Sequence, residues 1–551
     1  MLTSASSFGL PFVSDQGGER NVKQSGRFSC IPAIVVALAV FLSAAGTAAA
    51  DRLIYVQEVP VVELDPLAGY VNSPSPYEVG LVLYEGLVRF DDQLRFEPAL
   101  ATGWSVSDDG LTWTFNLRKG VTFHDGTPFD AEAVKFNLER SINPELNPLN
   151  RPLWDPLASV RVVDEHTVQI TTKAPFPTLL NTLAHGSAAI VSPAAVGRYG
   201  DTFDRNPVGT GPYKLKSFRP GYEVVVERFG GYWGTPGRVD EIVFRYVPEA
   251  TSRVSLLLAG QADVAAAITP QDVVQLANNP RAKVIATPTL RTVGIGINLN
   301  RPDLQDPRVR LAFNYAVDKE GLVRVVFMDQ AAVLESPLAP NATGYTRIGQ
   351  HRYDPEQAKA LLAAAGWVPG PSGLVQKNGR NLHVRIITAE GAYPNDLLVV
   401  QVVAQQLRQV GVDTEIFRVD KAGYWDYLKV PASEAQFDLF IWAFNPSNGD
   451  GGYALSSLFL SNQDPKGVPT VWNLGWYSNP RVDELLQEAD QTVDLEKRDQ
   501  LLGEVQRILM EENPYIWLYA ESRLVAARND VEGVVVLPTL FTDLRRSEGH
   551  T

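Results

Sequence analysis

The stretch PALATGWSVSDDGLTWTFNLRKGVTFHDGTPFDAEAVKFNLER, residues 98–140, carries the pattern from which the rest of the chain can be read. Trp113, Phe115 and Leu117 alternate, which puts all three on one face of an extended segment. Asp109-Gly110 comes just before them, and a glycine that accepts positive φ at such a point predicts a hairpin. Further on, Asp130 is placed as the N-cap of a helix, with Ala133 at the N3 position where a capping-box glutamate would stand. Strands and a helix in so short a span predict a mixed α/β chain.

Working outward, the apolar, β-branched residues 53–62 predict a strand, and the proline-rich residues 63–77 a loop. Within residues 78–90, Val79, Val82, Leu83 and Leu87 have helix-like spacing that Gly86 punctuates. Residues 166–173 predict another strand. Residues 206–218 read as a turn feeding a strand, and 221–229 as its return. Residues 240–265 read strand, helix, strand, and the order recurs from 382 to 420. In the second helix Leu397, Val400, Ala404 and Leu407 form an apolar stripe, and Gly411 is placed as the C-cap. Two late helices are predicted over 481–493 and 495–512, and no repeat of fixed period is present. A chain of 551 residues with this texture predicts two or three domains.

The first fifty residues differ. Lys23 and Arg27 precede an apolar run, residues 31–45, that ends in Ala48-Ala49-Ala50. These are the parts of a secretory signal peptide, and the run is short for a bilayer span. Cleavage is predicted after Ala50, so that the mature chain begins at Asp51; the long stretch before Lys23 suggests a true start near Val22. The lone cysteine, Cys30, precedes the apolar run and is removed, leaving no thiol, disulfide or lipid anchor. A released, unanchored protein fits a periplasm. With 63 acidic against 49 basic side chains and no basic stripe, nucleic acid is not an expected partner.

Enzyme signatures are missing. No G-x-S-x-G, H-E-x-x-H or phosphate-loop motif occurs, and Pro212 after Gly209-Thr210-Gly211 lacks the N–H that a phosphate cradle needs. Gly294 and Gly296 sit within a strand-like run. The six histidines (His124, His166, His185, His351, His383, His550) show no i, i+3 or i, i+4 pair for a metal, and His124 beside Asp125-Gly126 reads as a turn residue. No catalytic residue, metal or cofactor is therefore expected.

Several strings then fall in a familiar order: LDP (64–66), LYEGLVRFD (83–91), the opening stretch, NPVGTGPYKL (206–215), GYWG (231–234), DPRVRLAFNYAVDKEGLV (306–323), YDPEQAKALLAAAGW (353–367) and SNPRVDELL (478–486). Over nearly the whole mature chain the sequence resembles the family 5 extracellular solute-binding proteins of ABC importers, the dipeptide-, oligopeptide- and nickel-binding group. The resemblance implies an α/β, two-lobed periplasmic-binding-protein fold of type II, in the large cluster with an extra domain, with mixed sheets and flanking helices. It implies a discontinuous domain I (51–84, 206–287, 514–551), an extra domain II (85–205) and a domain III (288–513). A peptide-like or other small polar solute would lie between domains I and III, which two strands join as a hinge. Closure would deliver the solute to the permease and ATPase of an importer, with the protein acting as a monomer that catalyses nothing. The competing readings are a secreted hydrolase on a similar scaffold and a binding module for sensing or chaperoning.

Carried over position by position, the resemblance implies three pocket regions: Tyr70, Asn72 and Ser73; His185 and Ser187; and FDLFIWAFNPSNGDGGYALSSLF (437–459), with Phe444, Asn445, Ser447 and Asp450. Peptide-binding relatives carry an aspartate that pairs with the ligand ammonium where this chain has Ser447. A hydroxyl cannot neutralise a buried ammonium, and losing one partner of a buried pair costs about 3–5 kcal/mol. Asp450 aligns with a structural turn position. Tyr424, Trp425, Phe444 and Trp472 are candidates for stacking or lining, since aromatic side chains give shape with little entropy loss. Such a pocket favours a neutral, polar or sugar-like solute, or an anion met by an arginine that the sequence does not locate.

Overall fold

The computed structural model describes residues 51–67, 73–146, 150–235, 237–462, 464, 467–469 and 472–548. The opening stretch folds as read. Strands Ala101–Val106 and Thr112–Leu117 pair antiparallel about Gly110 at φ +71°, and Trp113, Phe115 and Leu117 are buried on one face. Thr167–Thr172 and Leu157–Asp164 complete a four-stranded sheet. The Asp130 carboxylate accepts the Ala133 N–H at 2.9 Å and caps the helix Ala131–Ile142, which packs on this sheet. A core from Leu87 to Ile190 results.

An eleven-stranded sheet forms the rest of the frame. One end runs Tyr213–Arg219, Glu223–Arg228, Glu241–Tyr246, Arg52–Gln57 and Val264–Ala265; the other runs Asp413–Val419, His383–Ala389 and Leu439–Phe444. Arg52–Gln57 lies parallel between Glu241–Tyr246 and Val264–Ala265, while His383–Ala389 pairs parallel with Asp413–Val419 across the helix Asp396–Gln409. Both strand-helix-strand readings therefore hold, and Gly411, at φ +89°, follows the helix.

Two long strands, Ala282–Ile297 and Tyr515–Arg528, join the two ends, and the eleventh strand, Ala331–Val333, pairs with Tyr515–Arg528 off this path. Their ladder is regular from Ala282↔Arg528 to Pro288↔Ser522, shifts register, and resumes at Thr292↔Ala520. Pro288 has no N–H to give the ladder, and the break falls there. The apolar core also divides at this point: Ala282 and Leu524 belong to one cluster, Leu290 and Ala520 to another. Two separately packed lobes are thus joined through these two strands, which the family resemblance makes the hinge.

Two readings need correction. The first strand ends at Gln57, not near residue 62, because its pairing with Glu241–Tyr246 stops there and Pro60 cannot extend a ladder. The helix expected within 78–90 is Pro74–Leu83, with Pro74 at its first position where no N–H is required, and Val88–Phe90 is a strand. Gly86 separates them for a steric reason, since a Cβ there would lie 2.9 Å from the Leu183 carbonyl oxygen.

Candidate functional site

The strand Leu439–Phe444 delivers residues 445–450 to a seam where both lobes and the four-stranded domain meet. Three of these residues reach across. Asn445 Nδ2 donates to the Thr539 carbonyl at 3.0 Å, Ser447 Oγ lies 3.0 Å from His185 Nε2, and the Asn448 carbonyl accepts from Asn181 Nδ2 at 2.9 Å. Asp450 anchors the base of the loop. Its carboxylate takes both Arg498 terminal nitrogens at 2.9 Å and caps the helix Gly451–Phe459 through the Gly452 and Tyr453 N–H groups. That ion pair is buried, so Asp450 is committed to holding the loop.

The protons around His185 can be placed. Its Nδ1 accepts the Ser187 backbone N–H at 3.2 Å and lies 2.8 Å from Ser187 Oγ, which itself accepts the Trp154 indole N–H at 3.0 Å. Nδ1 is therefore unprotonated and Nε2–H donates to Ser447 Oγ. Burial holds the imidazole down to about 4, so the ring is neutral near pH 7. The arrangement leaves the Ser447 hydroxyl with a proton to donate, and no negative charge faces it from His185 or Ser187.

Two chambers lie beside the seam, and neither has Ser447 or His185 in its wall. The hinge-side one, about 790 Å³, draws Ser73, Arg253, Arg523 and Leu540 from the first lobe and Arg291 and Lys421 from the second. Its charges are largely engaged: Arg523 meets Glu58 at 2.6 Å and Glu78 at 3.4 Å, Arg291 meets Glu521 at 3.2 Å, and Arg253 donates to four carbonyls. The other chamber, about 530 Å³, lies between the four-stranded domain and the second lobe, with Phe176, Lys429, Tyr453, Trp472 and Asp490 in its wall. Lys429 Nζ sits 3.8 Å from the Trp472 ring centre. Asp490 is reached by solvent at the chamber wall, and its carboxyl is raised by desolvation and then by the Asp450 charge.

The expected residues separate accordingly. Ser73 precedes the helix Pro74–Leu83 and lines the hinge-side chamber, whereas Tyr70 and Asn72 lie outside the described residues. His185, Ser187, Asn445 and Ser447 meet in the seam, and Asp450 and Trp472 line the smaller chamber. Phe444 is buried against Tyr453. Tyr424 is wholly buried with its hydroxyl bonded to the Ile441 carbonyl, and Trp425, more than a third exposed, leans on Trp442 and Trp472. Arg291, Lys421, Lys429 and Asp490 escaped the sequence reading, since only the folded seam collects them. Among the described residues no cluster of three His, Cys, Asp or Glu side chains could hold a metal ion, and no helix is long and apolar enough to cross a membrane. His124 is a turn residue: its Nδ1 accepts the Gly209 N–H and its Nε2 pairs with the Gly211 carbonyl.

Hinge, lobes and seam describe a binding device, and the sequence profile of the bacterial extracellular solute-binding proteins, family 5 middle, matches residues 95–466. The chain belongs to this family. A glutathione-binding protein, GsiB of Salmonella choleraesuis, is 34% identical over 478 residues, covering 86% of this chain and 90% of that one. NikZ from Campylobacter jejuni, solved in complex with Ni(L-His), is 26% identical with a TM-score of 0.77 over 90% of this chain and 98% of its own. NikA from Brucella suis, at 24% identity and TM-score 0.80 over 90% and 99%, matches in fold. As a family 5 protein the chain has the two-lobed periplasmic-binding-protein fold, binds a small solute, works with the permease and ATPase of an ABC importer, and is not an enzyme.

Proposed function

We propose that this family 5 protein captures a short γ-linked peptide of the glutathione class in its interlobe seam and presents it, as a monomer, to an ABC importer. Its leader is removed after Ala50 and it stays in the periplasm without a lipid anchor. Three separate apolar cores support a three-part division at 51–84 with 206–287 and 514–551, 85–205, and 288–513, except at two boundaries: Val191, Ala195 and Phe203 pack with the first core, and Tyr515–Ala520 with the third.

The observation that carries the ligand class is the neutral Ser447–His185 pair. A peptide with an ordinary N-terminus would bring an isolated ammonium to this loop, whose own carboxylate, Asp450, is engaged by Arg498. A γ-glutamyl head brings a carboxylate on the same carbon as its ammonium. It is locally neutral, offers an acceptor to the Ser447 hydroxyl, and escapes the penalty of a lone buried charge. Lys421, in the wall of the hinge-side chamber, supplies a cation for the remaining carboxylate. The similarity to glutathione-binding relatives supports the same choice.

Titration calorimetry of the mature protein against glutathione, Ala-Ala, Ala-Ala-Ala and a disaccharide tests this. Glutathione is expected to bind at least about tenfold more tightly than either alanine peptide, a difference of about 1.4 kcal/mol. Preference for an alanine peptide or the sugar sinks the proposal.

A further inference from the structure

We propose that Leu540 is a length stop for the bound solute at the hinge end of the seam. This rests on the seam being the solute site. The short antiparallel pair Val535–Val536 and Thr542–Asp543 is closed by a turn in which the Leu540 N–H donates to the Leu537 carbonyl at 2.9 Å and the Leu537 N–H to the Phe541 carbonyl at 2.8 Å. Leu540 itself stands at φ +89°. A glycine would take that conformation without strain, and an asparagine more readily than a leucine. A bulky side chain held there is unfavourable and persists where its surroundings over-determine it.

The surroundings do so from three sides. The Leu290 N–H, just past the hinge break, donates to the Pro538 carbonyl at 2.8 Å. Asn445 Nδ2 from the seam loop holds the Thr539 carbonyl at 3.0 Å. Phe541 stacks on Tyr77 with ring centres 3.7 Å apart, and the Thr542 N–H donates to the buried Glu78 carboxylate at 2.9 Å. One tight turn thus touches the hinge strand, the second lobe and the first helix, and Leu540 forms part of the hinge-side chamber wall while only 3% exposed. At that strained position the buried Leu540 side chain fills the volume directly behind the chamber wall, so the chamber ends there. The side chain's shape sets how far a chain can run toward the hinge, and its lack of polar atoms refuses a carboxylate there. The solute's terminal carboxylate is directed instead to Lys421 on the other wall.

The experiment exposes the mature wild type and the variants Leu540→Ala and Leu540→Gly to an equimolar library of two- to five-residue peptides, both α- and γ-linked. Native mass spectrometry then reads the retained masses. The wild type is expected to retain peptides up to a length limit, and both variants to retain peptides one residue longer, with a gain of about tenfold or more for those peptides. Leu540→Gly relieves the φ strain and Leu540→Ala does not, so a gain shared by both belongs to the lost side chain and not to a loosened turn. Thermal unfolding confirms that each variant is folded. Identical retained masses in wild type and variants, including none, overturn the proposal. A shifted length limit among α-linked peptides alone keeps the stop and refutes the glutathione-class reading.

Discussion

At the scale of single residues, the seam is built from groups whose charge is settled by burial. His185 is held down to about 4, well below the ordinary histidine value, so between about pH 6.5 and 4 the unfolded chain takes up a proton that the folded chain refuses. Stability contributed by the neutral ring is complete above pH 6.5 and is lost as pH falls toward 4, by about 3 kcal/mol at the acid end. His185→Gln keeps a donor toward Ser447 without a titrating ring. Urea unfolding from pH 7 to 4 should show a shallower loss of stability for this variant, and equal slopes would refute the assignment. The Asp450–Arg498 pair behaves differently because both partners are charged and dry. Arg498→Leu strands a carboxylate and is expected to destabilise by about 3–5 kcal/mol, read from the urea midpoint. If the loss is below 1 kcal/mol, the pair is not the anchor of the loop.

At the scale of elements, close approach of backbone explains glycines that resemble a phosphate-loop fragment. A Cβ on Gly209 would lie 2.2 Å from the Leu83 carbonyl oxygen, and one on Gly211 would lie 2.5 Å from that of Val82. The Gly209–Gly211 turn docks on the end of the helix Pro74–Leu83, and His124 clasps it from the other side. Gly209→Ala should therefore lower stability by about 1–3 kcal/mol while leaving solute affinity unchanged, as thermal unfolding and calorimetry on one preparation would show. A stable variant with weakened binding would place the turn in the site instead. The same elements show what the sequence makes legible. Period-two alternation at Trp113, Phe115 and Leu117, the Asp130 cap and the Gly411 stop are local signals, and each reappears in the fold. Element ends set by tertiary pairing, such as Gln57, were not legible. Nor were Arg291 and Glu521, 230 positions apart, since only the pairing of the two hinge strands makes them neighbours. For the seam, a family resemblance pointed to His185 and Ser447, but nothing local in the chain tells which ring nitrogen carries the proton.

At the scale of the whole molecule, a solute acts by preferring one arrangement of the lobes, and its leverage is limited to that preference. Residues 445–450 already span the seam with bonds from Asn445, Ser447 and Asn448, each worth about 0.5–1.5 kcal/mol. Such bonds favour the contacted arrangement of the lobes without locking it. Asn445→Ala removes one bond between lobes and leaves the apolar cores intact, since Asn445 lies outside them. With about 1 kcal/mol less bias toward contact, the solute should dissociate faster and bind about fivefold more weakly. Stopped-flow displacement would measure the rate, and small-angle scattering should show a larger radius for the unliganded variant than for the unliganded wild type. Unchanged scattering together with an unchanged dissociation rate would mean that the Asn445–Thr539 bond is incidental to closure. The hinge break at Pro288 would then have to set the lobe geometry through the two long strands alone.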